Sequence, residues 1–206
     1  MLVDKFMPIY DVSDAVATVV DADVAATWDA LMNVDLIDVG RKRPIVGMLG
    51  ALRILPDIVS HLVHGEVPRR PEHMRLRDLA SIPLDDGGWV LLGERAPNEI
   101  VLGLVGKFWR PVIEFAKVGS PTEFVDFAEP GFAKTIYALS VTAIDKRRTL
   151  LSGVMRTATT DEHARRWFRR YWTFGIGSGA HLLVAGLLDV TRELAEEGAA
   201  QLVRSR

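Results

Sequence analysis

The sequence contains no cysteine, which excludes disulfides, thiolate metal sites and cysteine nucleophiles and permits a reducing compartment. It also lacks a long uninterrupted apolar run. The most apolar stretch, Pro44 to Val63, is broken by Arg53, Pro56, Asp57 and His61, so it fails as a membrane span of about 20 apolar residues; contact with a membrane surface stays open. A strong field of either sign is missing too, since the formal net charge is -2 over 206 residues. Nucleic-acid binding needs a basic field, so no DNA or RNA partner is implied. The opening Met1-Leu-Val-Asp-Lys-Phe6 has Asp4 and no apolar core, unlike a signal peptide, and a cytoplasmic location is expected.

What is present is a chain long enough for one domain, residues 1–206, with a sizeable core. Val12 to Val20 reads as a first strand, and Asp23 as the cap of a short helix, Val24 to Met32. Residues 35–70 differ in texture. Pro44 is suited to the first turn of a helix, Pro56 kinks or restarts it, and Gly65 with Pro68 ends it. This helical insert is either a cap on the core, a lid over a cavity mouth or a membrane-touching flap. Its apolar excess, including Leu52 and Leu55, and its Gly and Pro content fit a lid.

From His73 onward six further runs alternate like strands: Met74 to Ser81, Gly88 to Arg95, Asn98 to Trp109, Glu123 to Ala128, Phe132 to Ile144 and Thr149 to Thr159. The links between them are short and rich in Gly, Pro, Asn and Asp, which makes the strands an antiparallel meander. In the run from Phe132 the odd positions are the more apolar, so Tyr137 should point inward. Gly103 and Gly106 suggest a bulge or a close approach. Thr159-Thr-Asp-Glu162 then reads as a capping box, with Thr159 as N-cap. It opens a helix whose apolar face carries Ala164, Trp167, Phe168, Tyr171, Trp172 and Phe174. Continued unbroken to Glu197 it would be about 55 Å long, and Gly175-Ile-Gly-Ser-Gly179 marks a bend. That glycine run follows a helix, not a strand, which excludes a dinucleotide-binding turn, and Ser178 lacks the flanking glycines of a nucleophile elbow.

This order of elements resembles the helix-grip fold of the START-like or SRPBCC superfamily, which includes polyketide cyclase-like and Bet v 1-like proteins. Residues 99–111 (Glu99 to Pro111), 127–134 (Phe127 to Lys134) and 165–172 (Arg165 to Trp172) are similar to a set found together in one uncharacterised bacterial branch. The resemblance implies an α+β domain: an antiparallel, curved, seven-stranded sheet wrapped around a long C-terminal helix, with a cavity between them. Such relatives often carry Thr-Glu-Thr-Arg in the last strand, where this chain reads Gly153-Val-Met-Arg156, and an Arg after the Gly-Ser of the final helix, near which His181 stands. No Glu partner for Arg156 is therefore carried over, and no reaction.

Candidate chemistry is sparse. Asp57, His61 and His64 share a helical face, but a polar face on an amphipathic helix accounts for them without a metal, and no cofactor is implied. Arg165, Arg166, Arg169 and Arg170 oppose the aromatic face, and i, i+4 pairing of Asp161 with Arg165 and of Glu162 with Arg166 would make theirs a solvated surface. Glu99, Arg77, Arg95 and Arg156 are the strand ionisable groups with a chance of entering the cavity. The residues expected to contact a ligand are Trp28, Leu52, Leu55, Glu99, Phe108, Trp109, Tyr137, Arg156 and Trp172. Two functions follow as expectations: binding of a mainly apolar small molecule, lipid or polyketide-like, or cyclase or dehydratase chemistry using an inward carboxylate or Tyr137 with an Arg.

Overall fold

A computed structural model of the chain describes residues 1–48, 73–81 and 88–204. Its strands β1 (Val12–Val20), β2 (Val90–Arg95), β3 (Glu99–Gly106), β4 (Ala133–Ala143) and β5 (Thr149–Thr159) form one antiparallel sheet in the order β1-β5-β4-β3-β2. The β4–β5 turn is set by Asp145, whose Oδ1 accepts from the amides of Arg147 and Arg148, both at 2.9 Å, the local trick that makes Asp a turn residue.

The helices are α1 (Leu2–Phe6), α2 (Val24–Asn33), α3 (Leu36–Lys42), α4 (Pro121–Asp126), α5 (Glu162–Tyr171) and α6 (Gly177–Arg204). Asp23 caps α2 as its position suggests, accepting from the Ala26 amide at 2.9 Å. Residues 44–48 are helical from Pro44 onward. The remainder of the insert, with Leu52, Leu55, Asp57, His61 and His64, lies outside the described residues. Among the described residues no single helix is long and apolar enough to cross a membrane.

Among the described residues the chain thus has an α+β arrangement, one antiparallel sheet of five strands with a long C-terminal helix packed on it, where a seven-stranded helix-grip sheet was expected. Met74 to Ser81 is not a strand: Leu76–Ser81 forms a 3-10 turn, in which Leu76 and Leu79, three apart, bury together. Glu123 to Ala128 is not a strand either. Ser120 accepts from the Glu123 amide at 3.2 Å and Pro121 takes the first helical position, a start signal that outweighs the alternation of Phe124 and Val125. The last helix also begins later than expected. Its cap is Asp161, whose Oδ1 accepts from the Ala164 amide at 2.7 Å, while Thr159 closes β5 with its amide and hydroxyl donated to Asp11.

Both faces of the sheet are covered at its central strands. Toward α6, α2 and α3 lie Ile100 and Leu102 of β3, Leu139 and Val141 of β4 and Leu151 of β5. On the opposite face Val101, Val105, Ile136 and Ala138 pack with Leu2, Val3 and Met7 at the N-terminus and with Phe124 of α4. Strand alternation divides the two sets. Gly103 serves the second face, where an added Cβ would lie 2.8 Å from the Phe124 ring; the register shift falls in β2, between Leu91 and Gly93.

Asp11 fastens the start of β1 to the end of β5 and to α5, since its second oxygen accepts from Arg165 Nε at 2.8 Å. Burial raises this carboxyl's pKa, but hydrogen bonds from Thr159 and the neighbouring Arg165 outweigh it and hold it below the ordinary Asp value. A carboxyl depressed in the folded state contributes stability that is complete above its unfolded pKa of about 3.9 and is lost as the pH falls through the folded value. Asp11→Asn should therefore lower stability at neutral pH and flatten its decline between about pH 5 and pH 2, measured as urea unfolding at a series of pH values.

Candidate functional site

The register of the sheet places Leu104 opposite Thr135, Thr135 opposite Thr157, and Tyr137 opposite Met155. These five side chains form the floor of a cavity of about 300 Å³ between the sheet and the C-terminal helices. Phe168 and Tyr171 of α5, Trp172, and Gly179, Ala180 and Leu183 of α6 form its roof, and Trp89, Phe108 and Ile113 complete the wall.

The roof exists because the last helix bends. A π turn at Trp172–Ile176 separates α5 from α6, and the segments 162–174 and 179–201 meet at 64°. One widened turn is a recognised cause of such a kink. Beyond it α6 first presents Gly179 and Ala180 to the sheet, too small to reach the floor. Further along, Val184 and Leu188 are buried against the strands, and an added Cβ at Gly153 would lie 2.6 Å from Val184 Cγ1. Small side chains thus leave the space open at one end, and large ones close it at the other.

Aromatic edges and faces fix the walls. Phe168 stacks on Trp172 with ring centroids 5.9 Å apart, and Trp89 meets Tyr137 edge-on at 5.4 Å, both favourable geometries. Polar atoms are few. The Thr135 and Thr157 hydroxyls lie 2.9 Å apart; one proton joins them, which leaves the second without a protein acceptor among the described residues. The Tyr137 hydroxyl also has no hydrogen-bond partner among them. Burial, with a smaller contribution from nearby Tyr171, pushes the Tyr137 phenol up to about 12, so at neutral pH it is a donor and not a base.

The sequence-based candidates divide sharply. Phe108, Tyr137 and Trp172 line the cavity. Trp28 packs from α2 against the core, and Trp109 sits in the turn after β3, away from the lining. Glu99 and Arg156 occupy the other face of the sheet, because odd positions of β3 and even positions of β5 point there. Glu99 is buried and accepts from the Leu2 amide at 2.7 Å. Arg156 donates to the Met7 carbonyl at 2.9 Å, pairs with Asp4 and lies over the Tyr10 ring. Of the other charged candidates, Arg77 lies in the 3-10 turn, donating to the Met32 carbonyl, and Arg95 is exposed at the end of β2. Thr135, Met155 and Thr157 were missed, although the alternation that turns Tyr137 inward applies to them equally. Among the described residues no cluster of three His, Asp or Glu side chains is placed to hold a metal, and no carboxylate, Lys, Arg or His lines the cavity.

No family model and no curated protein matches the sequence. Among solved structures the chain is similar to a conserved protein from Geobacillus kaustophilus, at 14% identity over 90% of this chain and 96% of that one, with a TM-score of 0.39. It is similar to norcoclaurine synthase from Thalictrum, at 10% identity over 93% and 99% of the two chains, with a TM-score of 0.39. A third similarity is to the Zhui aromatase/cyclase from Streptomyces, at 12% identity over 90% and 93% of the chains, with a TM-score of 0.30.

Proposed function

We propose that this protein binds a mainly apolar small molecule, of polyketide-like or other flat aromatic type, in the cavity between the sheet and the bent C-terminal helix. The observation that carries this reading is the lining: seven large apolar or aromatic side chains of the wall and roof face a floor with three hydroxyls. A ring system would stack against Trp172 and Phe168, and a carbonyl or phenolate on it would accept from Tyr137 or the threonine pair. Such a balance of apolar surface and a few orienting donors is typical of small-molecule pockets. Cyclase or dehydratase chemistry needs a base within reach of the substrate. Tyr137 stays protonated, and the lining carries no carboxylate among the described residues, so binding is the better supported of the two.

Ala180→Phe tests this reading by filling the cavity from its roof. Titration with anilinonaphthalene sulfonate, a fluorescent apolar probe, should show affinity weakened by about tenfold or more, with the melting temperature held or raised. Unchanged affinity in a folded variant would place the probe elsewhere and remove the cavity from consideration. Native mass spectrometry of protein purified from its own host would then identify a retained ligand by mass.

A further inference from the structure

The outer face of α5 and the turn after it combines exposed aromatic rings with arginines. Phe174 is 86% exposed and Trp167 45% exposed, and Arg166, Arg169 and Arg170 surround them in sequence, all exposed. Positions 163, 167 and 170 follow helical spacing, so His163, Trp167 and Arg170 share one stripe, and Phe174 follows in the π turn after it. The carboxylates that would neutralise this face are engaged elsewhere. Asp161 caps the helix and accepts from the Gly131 amide, and Glu162 pairs with Arg165 instead of Arg166. Among the described residues none of Arg166, Arg169 and Arg170 has a carboxylate partner; Arg170 lies over the Trp167 ring. The expected i, i+4 pairing that would have made this an ordinary solvated face is therefore absent at Arg166.

We propose that α5 and the turn after it dock this protein on an anionic phospholipid surface. Phe174 and Trp167 enter the headgroup region, and the three arginines meet lipid phosphates, to which the guanidinium fork is well matched. Charge complementarity selects this partner. The whole chain is slightly acidic, at -2, so its net charge supplies no attraction to an anionic surface, and the gathered arginines of this face set the orientation. Contact stops at the interface, because Val184, Leu188 and Val190 of α6 are buried in the core and cannot follow α5 into the bilayer. The inference stands apart from what occupies the cavity.

The test is co-sedimentation with vesicles of phosphatidylcholine, alone or with about 30% phosphatidylglycerol. The parent should pellet with the anionic vesicles at least about tenfold more strongly than with the neutral ones, with a blue shift of tryptophan emission as Trp167 leaves water. Phe174→Ala should weaken pelleting severalfold, and Arg166→Glu with Arg169→Glu should abolish it. All these side chains are exposed, so melting temperatures should be unchanged. Absence of pelleting with anionic vesicles, or equal pelleting of parent and variants, overturns the proposal. So does equal binding to polyglutamate without a blue shift, which would make the face a site for an acidic protein.

Discussion

Phe124→Ala should lower the unfolding free energy by about 3–5 kcal/mol, the usual loss for a buried Phe truncated to Ala, and leave binding of an apolar probe in the cavity unchanged. Phe124 is fully buried. Its ring fills the space over Gly103 on the face of the sheet away from the C-terminal helix. A loss of this size is a large fraction of the about 5–15 kcal/mol that holds a domain together. Urea unfolding of the variant, paired with probe titration below the transition, separates the two effects. If that face were an ordinary solvated surface, the loss would stay near about 0.5 kcal/mol, and such a result would contradict the second packed layer.

Gly153→Leu should prevent folding or leave a chain with severely reduced stability. Gly153 lies in β5 where α6 crosses, and even a methyl group there would sit 2.6 Å from Val184 Cγ1 and 3.2 Å from Leu139 Cδ2. Gly153→Ala is the measurable version, expected to cost about 1–3 kcal/mol through overpacking. Val184→Ala in the same chain should recover part of that loss, since the two changes relieve each other, with a coupling of about 0.5–3 kcal/mol in a double-mutant cycle. Additive losses would mean that the collision is relieved by strand movement and not at Val184. Because α6 is also the roof of the cavity, the single variant should weaken probe binding as well, which Phe124→Ala does not.

These two positions show how far the residues could be read in advance. β1 and β5 match their expected bounds, because the Val- and Ala-rich run of β1 and the Thr- and Leu-bearing run of β5 end at Asp21 and at Thr160, where turn chemistry takes over. The bend near Gly175 was legible from glycine content and length. Phe124 was assigned to a strand because Phe, Val and Phe recur at short spacing over residues 124–127, and only the Ser120-Pro121 start signal argues for a helix. Tyr137 could be turned inward from its own strand, but Glu99 and Arg156 could not be turned away. Every residue of β3 except Leu104 is buried, so period-two patterning vanishes there and gives no facing. Val154, between two pocket-side residues, is apolar for the same reason: the second face is also packed. A sheet covered on both sides hides its own orientation in the sequence.

Among the described residues, five strands instead of seven also leave the sheet open, with β1 and β2 as its edges. β2 is short and kinked by its register shift, a poor template for further pairing. β1 is nine residues long, regular, and rich in Val and Ala, the composition that adds strands readily when its outer amides are free. What marks it against such growth is Asp14, an edge charge anchored by His181 Nδ1 at 3.0 Å, together with α6 packed along the strand. Loosening of α6 would strip that protection and expose a continuous β-prone ribbon. Aggregation of this protein should then begin at β1 and follow detachment of the last helix, well before the central strands come apart.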